Sequence, residues 1–347
     1  MRKYYYIELL RFLCSLSVVV YHWGLSFDLM GMESNKTFDY YLKIIYGFGD
    51  KAVPVFFVIS GLVFSNVYLS QKKNETLYNF SIKRFARLYP LHLFTLLSVL
   101  LIQYLFLVVF KEYQLYTFND LYHFFLNIIL LLGWGFEQGR SFNTPVWTVG
   151  QEMFIYFLFF SLIVFIKRYQ TKFVFFIYLF FLIADKTKIT EHNLVKDFIY
   201  FSYFIDFVRL YFSGVIIYYM VEKFGYSKIL LILSSLIIFL SFVGAFRLHL
   251  FCFGVVMLFV ILDRFNINNK IKKIFIFLGS LTYSLYLLHT LTFLIFLFSL
   301  KFFDKVDLFY YDSTFVIYLI FTIVISILSF KFFESKLNKL IRYKFIK

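Results

Sequence analysis

Cysteine and proline are scarce in this chain, and charged residues are fewer than in most soluble domains. The 347 residues include two cysteines and three prolines. Cys14 and Cys252 both lie inside apolar runs, so we predict no disulfide framework. The six histidines are scattered and form no HxxxH pair, and we predict no metal site. Charged residues make up 16% of the chain, against roughly a quarter in soluble domains.

Apolar surface is what the sequence has in excess. Apolar residues make up 61% of the chain, and the mean hydropathy is +0.78. A soluble core of this length could not bury so much apolar surface, so we predict a chain that lies in the lipid bilayer. The net charge of +15 would also suit a nucleic acid. Basic loops that face the cytoplasm explain it better, and we predict no nucleic-acid partner.

Eleven apolar segments divide the chain. They cover residues 7–27, 44–69, 88–110, 121–136, 146–166, 172–184, 198–221, 228–246, 249–262, 274–300 and 314–333. None shows the alternation of a strand, so helices are the expected spanning structure. The first segment contains Arg11 and lacks a small-residue cleavage site, which favours a retained helix over a signal peptide. We predict one membrane domain over residues 1–347, without a soluble domain.

Charge decides how many of the segments cross the membrane. If all eleven crossed from a cytoplasmic N-terminus, the basic residues at 167–172, at 270–273 and in the C-terminal tail would lie outside, against the positive-inside rule. Segment 121–136 is short and ends in Gly133, Trp134 and Gly135, which suits a helix that does not cross. We therefore predict an all-α integral membrane fold with about ten transmembrane helices plus one re-entrant or interfacial helix. Both termini are then cytoplasmic.

The first segment carries three ionisable residues, and such residues inside a membrane helix are candidate functional groups. Arg11 and His22 are eleven residues apart. This spacing places them within about 20° on one helix face and roughly 16 Å apart along the axis. Glu8 lies one turn from Arg11, and we expect the two to pair. A snorkelling Arg11 and a packed His22 would give the same pattern.

Six sequence blocks occur in one order along nearly the whole chain. They are R-x10-H from Arg11 to His22, FFVISG at 56–61, RFARLYP at 84–90, PVWTVGQE at 145–152, GSLTYSLYLLH at 279–289, and Glu334. Together they resemble the membrane acyltransferase-3 family, which includes bacterial polysaccharide O-acetyltransferases. Thr148, Thr282 and Lys336 stand where the family usually has Ser, Ser and Pro.

The resemblance implies an O-acyltransferase of the bacterial inner membrane. It would move an acyl group, with acetyl expected, from acyl-CoA to a hydroxyl of a carbohydrate such as a surface polysaccharide or its lipid-linked precursor. His22 is the candidate general base, because an imidazole accepts a proton near neutral pH. Glu152 is expected to orient the imidazole and stabilise its charged form, by the logic of a catalytic triad. A plain interfacial position is the alternative for Glu152.

The candidate donor-binding residues are arginines. Arg84 and Arg87 begin the third predicted span on the cytoplasmic side, where acyl-CoA is made, and Arg11 lies at a similar depth. Arginine suits bidentate contact with phosphate, although membrane anchoring would also place these residues there. Further candidates for substrate binding or for lining the cavity are Glu8, Trp147, Tyr283, Ser284 and His289. For His289, a polar contact between helices is an equal alternative.

Three positions have further interpretations, and two other functions belong to the prediction. Trp147 and Tyr156 would stack on a sugar or lie in the aromatic belt, and we favour the belt for Tyr156. Ser60 is interpreted as a small residue for close helix packing. The main alternative function is a membrane transporter or flippase for a glycan or lipid, and a second is a binding or sensor protein. Inverted repeats would favour a transporter, and the six blocks show no internal repeat.

Overall fold

The computed structural model describes residues 2–30, 36–71, 75–186, 199–242 and 247–346. The structure is 84% helical, and no strand occurs within these ranges. The predicted segment ends at residues 198 and 246 lie outside the described residues. The predicted all-α fold is confirmed.

Twelve helices follow one another through these ranges. They are α1 (Tyr5–Leu29), α2 (Lys36–Tyr68), α3 (Leu77–Phe110), α4 (Leu121–Ile128), α5 (Trp147–Lys186), α6 (Ile199–Phe224), α7 (Lys228–Ser241), α8 (Arg247–Leu262), α9 (Asn269–Ser280), α10 (Thr282–Phe302), α11 (Asp312–Ser329) and α12 (Ser335–Phe345). Two 3-10 turns cover Thr144–Val146 and Val306–Tyr310, and a π-helical turn covers Phe330–Glu334. Within the described residues, seven helices are long and apolar enough to cross a membrane, and α7 and α8 contribute shorter apolar stretches.

Helix α5 holds two of the predicted spans. Its 40 residues measure about 60 Å, twice the ~30 Å thickness of the hydrocarbon core. The backbone leaves the helical region at Gln170, where φ is 50° and ψ is −131°. This break lies between the spans predicted at 146–166 and 172–184, among basic residues. The divided α5, the other long helices and the two shorter ones lie at the positions of the predicted spans, and the count of ten stays a prediction.

Helix α3 shows how a helix of this protein faces lipid. Exposed apolar side chains recur along it at steps of three and four residues, at Phe94, Leu97, Leu101, Tyr104 and Val108. The opposite face buries Leu96, Val99, Ile102 and Phe106. An apolar stripe of this length would be unfavourable in water. It fits a helix whose outer face contacts hydrocarbon.

Helix α4 is the segment predicted to be re-entrant. It has eight residues, whereas a spanning helix needs about 20. Asp120 caps its N-terminus by accepting the His123 N–H at 2.9 Å. Its C-terminal end lies beside the middle of α3, because the His92 Nε2 donates to the carbonyl of Asn127 at 2.9 Å. The chain therefore enters along α3 and turns back, as a re-entrant helix does.

Contacts divide the chain into two compact units. Unit 1 comprises Met1–Cys14, Lys51–Thr76 and Gln151–Ser280, and unit 2 comprises Ser15–Asp50, Leu77–Gly150 and Leu281–Lys347. Helices α1, α2 and α5 each contribute to both units. The single-domain organisation stays a prediction.

Each unit has a core of its own. In unit 2 the Trp23 ring stacks on Tyr318 with ring centres 4.8 Å apart, and Phe293, Phe309 and Phe315 surround it. In unit 1 helices α2 and α6 meet closely at Gly61 and Gly214. A Cβ at either glycine would overlap the backbone of the facing helix. The glycine of the FFVISG block is therefore required by helix packing.

Candidate active site

His22 lies on the unit 2 part of α1, and one hydrogen bond sets its tautomer. Its Nδ1 lies 2.9 Å from the carbonyl oxygen of Val18, one turn earlier. A carbonyl oxygen only accepts, so Nδ1–H is the donor, and a neutral ring then has its lone pair on Nε2. Nε2 is the atom of this ring that would accept a proton.

His289 on α10 lies directly beside this ring. The two imidazole centres are 4.7 Å apart with their planes at 49°, and His289 is buried. Ser15 ties α1 to α10 nearby, since its Oγ donates to the carbonyl of Thr282 at 3.2 Å. Two imidazolium cations at this separation would repel each other. Only one ring of the pair is therefore expected to carry a charge at a time.

Both imidazoles line a cavity in unit 2. Its empty volume is about 310 Å³ including its open side. The other lining residues are Leu25, Ser26, Leu29, Leu115, Tyr116, Thr290, Phe293 and Tyr318. Apolar and aromatic side chains therefore dominate around a nitrogen that accepts protons, which suits an acyl group. The sequence identified His22 and His289 as candidate site residues, but it did not identify Tyr116 or Tyr318.

Glu152 lies on α5 in unit 1, where two hydroxyl groups bind its carboxylate. Ser60 on α2 donates from Oγ to Oε1 at 2.9 Å, and the Tyr156 hydroxyl donates to the same oxygen. Tyr156 is buried and stacks on Phe64 with ring centres 3.9 Å apart. The preference for the aromatic belt at Tyr156 is therefore wrong. Ser60 is more than a packing residue, because Gly61 provides the close approach.

His22 and Glu152 belong to different units. The structure supplies each with partners from its own unit, namely Val18 and His289 for the imidazole and two hydroxyls for the carboxylate. The direct pairing of His22 with Glu152 stays a prediction.

Glu8 and Arg11 pair in unit 1 as their spacing predicts. Arg11 donates to the Glu8 Oε2 at 3.0 Å. Gly279 of α9 leaves room for this carboxylate, because a Cβ at that position would overlap it. The first residue of the block at 279–289 therefore packs against the carboxylate that pairs with Arg11. The role of Arg11 in donor binding stays a prediction.

Arg84 and Arg87 lie near the start of α3, and both side chains are half-buried. The Arg84 guanidinium lies 5.9 Å from the centre of the Phe80 ring. Among the described residues no carboxylate pairs with Arg87. Helix α10 passes at this level, since the Tyr283 hydroxyl donates to the carbonyl of Leu88 at 2.6 Å. The Arg87 side chain is therefore available to an anion.

The candidate Trp147 and its neighbour Thr148 have structural partners within unit 2. Trp147 packs against Gly133 in the turn that follows α4, where φ is +80°. The Thr148 hydroxyl lies 2.8 Å from the hydroxyl of Tyr286. Threonine therefore supplies at 148 the hydroxyl that serine would supply in the family pattern, and this departure is conservative.

Ser284 connects α10 to the π-helical turn. Its Oγ donates to the Glu334 Oε2 at 2.8 Å, and both side chains are buried. This hydrogen bond gives Ser284 a structural role, as the bond to Leu88 does for Tyr283. Substrate binding by Ser284, Tyr283 and Trp147 stays a prediction.

Sequence reasoning missed a charged cluster in unit 1. Arg209 on α6 is 2% exposed and pairs with Asp206 at 3.1 Å. Its Nη2 also lies 2.8 Å from the Nε2 of His249 on α8. The i, i+3 spacing of Asp206 and Arg209 was the available signal. Nothing in the sequence indicates that His249 faces them, because it comes from another helix.

Comparison with known protein families gives one assignment. A family model described as an acyltransferase domain matches residues 4–331. That range contains five of the six blocks, and Glu334 follows it by three residues. Neither the curated proteins nor the solved structures give a match. Because the match covers nearly the whole chain, the protein belongs to the membrane acyltransferase-3 family.

Proposed function

We propose that this acyltransferase moves an acetyl group from acetyl-CoA to a hydroxyl of a carbohydrate, such as a surface polysaccharide or its lipid-linked precursor. The observation that carries the proposal is the His22 ring, whose hydrogen bond to Val18 leaves Nε2 as a base beside a largely apolar cavity. Family membership supports acyl transfer as the reaction class. The CoA donor and the carbohydrate acceptor rest on the resemblance of the six sequence blocks.

His22 acts as the general base in the proposed mechanism. Its Nε2 takes the proton of the acceptor hydroxyl while that oxygen attacks the carbonyl carbon of the thioester. The C–S bond then breaks, and the His22 imidazolium gives its proton to the departing thiolate. The products are an acetyl ester and CoA with a free thiol. The Nδ1–H bond to Val18 strengthens when the ring is charged, because a cationic donor bonds more strongly.

Arg84 and Arg87 are the proposed binding groups for the CoA phosphates. Tyr283 contacts the carbonyl next to Arg87, and His289 follows Tyr283 by six residues on α10, a rise of roughly 9 Å. The extended pantetheine arm of CoA is longer than this rise, so a thioester can reach the level of the imidazoles. Arg11 keeps its predicted donor-binding role, and Glu152 keeps its predicted catalytic role.

The test is a transfer assay with purified protein in detergent. Acetyl-labelled acetyl-CoA is incubated with a panel of sugars, and both labelled ester and released thiol are measured. His22→Gln is expected to lower transfer by roughly 10² or more, as loss of a general base does. His92→Gln is the control, since this buried histidine binds the Asn127 carbonyl on the re-entrant segment and is expected to retain most of the activity.

Two results would contradict the proposal. Transfer that His22→Gln leaves undiminished would remove His22 as the base. If the wild-type protein forms no ester and releases no thiol with any sugar, the reaction itself is wrong. Movement of a labelled glycan across proteoliposomes would then favour the transporter.

A further inference from the structure

We propose that Arg140 binds an acidic group of the acceptor, so that the enzyme acts on an anionic glycan. The inference rests on the proposed function, because the acceptor is the carbohydrate of that reaction. Arg140 lies in unit 2, in the loop between α4 and the 3-10 turn Thr144–Val146. Its side chain is exposed.

The backbone on the C-terminal side of Arg140 is fixed by buried neighbours. Phe142 is 1% exposed, and its N–H donates to the Asn119 Oδ1 at 2.7 Å. Asn143 is fully buried, and its Nδ2 donates to the carbonyl of Leu287 on α10 at 3.0 Å. An arginine presented from a fixed backbone has less freedom to lose when it binds a ligand.

The backbone on the N-terminal side is fixed as well. The N–H of Gln138 donates to the Nε2 of His123 at 3.1 Å. His123 is buried, and its Nδ1 lies 2.8 Å from the Asp120 carboxylate. The backbone is therefore held on both sides of Arg140, which presents an exposed guanidinium.

The backbone at Arg140 is connected to the wall of the His22 cavity. Tyr116 lines the cavity together with His22. Asn119 donates to the Tyr116 carbonyl at 2.7 Å and accepts the N–H of Phe142, two residues after Arg140. The Arg140 charge interacts electrostatically with both Tyr116 and His22. A substrate with its hydroxyl at the His22 Nε2 would therefore lie within reach of this guanidinium.

The carboxylates of this part of unit 2 have other partners. Those partners are Lys301 for Glu112, His123 for Asp120 and the Gly133 N–H for Glu137. Over the ranges that the structure describes, no carboxylate pairs with Arg140. A cation without a protein counter-charge attracts anions. Its guanidinium can bind a carboxylate or a phosphate through two parallel hydrogen bonds.

Such an acidic group could belong to the acceptor or to the CoA phosphates. Arg84 and Arg87 lie near the N-terminal end of the 34-residue helix α3, whereas Tyr116 follows the C-terminal end of that helix. The donor phosphates are therefore assigned to one end of α3 and the acid of the acceptor to Arg140. The experiment separates these two sources.

Three matched oligosaccharides serve as probes: one ends in glucose, one in glucuronic acid and one in glucose 6-phosphate. Their binding to the purified protein is measured by calorimetry, and transfer from labelled acetyl-CoA is measured in parallel. We expect at least one acidic probe to bind about tenfold more tightly than the glucose probe. Arg140→Gln is expected to remove this preference. Arg140→Lys keeps part of it, because lysine retains the charge without the planar fork.

Lys305→Gln is the matched control, since it removes an exposed positive charge elsewhere in unit 2 and should leave the preference intact. Equal binding of the three probes by wild type, or an unchanged preference in Arg140→Gln, overturns the proposal. A higher KM for acetyl-CoA in Arg140→Gln with the acidic preference intact would assign this residue to the donor instead. If the proposed function fails, the acidic probes still bind through Arg140 while no ester or thiol forms.

Discussion

The Glu152 carboxylate is positioned by two hydroxyl groups, one on the facing helix α2 and one on the next turn of α5. Ser60 and Tyr156 both donate to Oε1, and the Tyr156 ring is held by stacking on Phe64. Hydrogen bonds to a charged group contribute roughly 1.5–3 kcal/mol each. A carboxylate fixed in this way can act on a charged substrate or on a catalytic group only from one direction.

Ser60→Ala and Tyr156→Phe each remove one of these donors. If Glu152 is catalytic, we expect each variant to lower acetyl transfer about tenfold, from roughly 1.4 kcal/mol of lost positioning. In a Glu152→Gln background neither substitution should lower transfer further, because both act through the carboxylate. Labelled-ester formation is the measurement. Ser65→Ala is the control, since its buried Oγ lies on α2 like that of Ser60 and has no hydrogen-bond partner among the described residues.

The outcomes of this series are distinct. Full transfer by Glu152→Gln would remove Glu152 from the catalytic residues. An additional tenfold loss from Ser60→Ala in that background would mean that the serine acts by itself.

Residues that share a helix could be paired from the sequence, and residues on different helices could not. The Glu8–Arg11 ion pair could be predicted because residues three apart lie on one face of a helix. Ser60 and Glu152 are 92 residues apart, and a helical pattern does not say which helices face each other. The Tyr156 prediction was wrong for this reason: its environment depends on α2, which spacing along α5 does not contain.

Among the elements, the start of α1 depends on a residue outside the helix. The first N–H groups of a helix have no partner within it. Here the Oδ1 of Asp263, just after α8, accepts the N–H groups of Tyr5 at 3.1 Å and Tyr6 at 3.2 Å. Burial raises the pKa of Asp263 from 3.8 to about 6, although the two N–H groups act in the opposite direction.

This shift predicts how stability depends on pH. The folded state holds the Asp263 proton more tightly than the unfolded chain does, so stability from this group is fully present below pH 3.8 and is lost as the pH rises through about 6. Asp263→Asn keeps the accepting oxygen and removes the charge. We expect this substitution to raise the free energy of unfolding above about pH 6 by at most ~3 kcal/mol. Because Asp263 is partly exposed, solvent screening makes the gain smaller than this limit.

Melting temperatures of the purified protein from about pH 4 to about pH 7 measure this. The wild-type curve should fall relative to that of Asp263→Asn across this interval. Asp307→Asn changes an exposed carboxylate in unit 2 and should follow wild type. Parallel curves for wild type and Asp263→Asn would mean that the carboxyl titrates equally in both states.

The re-entrant segment shows what the sequence predicted about elements and what it missed. Its glycines and the charge count indicated that 121–136 does not cross, but helix α4 ends at Ile128. The chain then takes positive φ at Leu130 (58°), Gly133 (80°) and Gly135 (83°). Glycine adopts positive φ readily, so the two glycines indicate such turns in the sequence. A leucine does not, because its left-handed conformation is imposed by the packing around it.

At the scale of the whole molecule, the charge distribution predicted the number of spans, whereas packing determines where each helix begins and ends. The basic residues at 167–172 predicted a loop, whereas the structure has one helix, α5, with a break at Gln170. Hydropathy separates apolar stretches, but a helix can continue through a short polar stretch when its backbone hydrogen bonds are favourable. The division into two units has no signal in the sequence, because each unit combines three distant parts of the chain.

The orientation of the chain is the last prediction, and it can be tested by labelling. The positive-inside count places both termini in the cytoplasm. It follows that residues 138 and 305 lie outside and residue 344 lies inside. The native Cys14 and Cys252 are fully buried, so single introduced cysteines report their own exposure. Gln138→Cys, Lys305→Cys and Lys344→Cys replace exposed side chains of unit 2.

A membrane-impermeant maleimide applied to intact cells should label Gln138→Cys and Lys305→Cys at once, and Lys344→Cys only after the membrane is permeabilised. If Lys344→Cys is labelled in intact cells and the other two variants only after permeabilisation, both termini lie outside. Arg84 and Arg87 would then face away from the compartment that makes acyl-CoA, and their donor role would be wrong. Labelling of both Gln138→Cys and Lys344→Cys from outside would mean an even number of spans between them, instead of the odd number predicted. The expected pattern brings donor and acceptor to His22 from opposite sides of the membrane, which is the arrangement that the Arg87 and Arg140 assignments require.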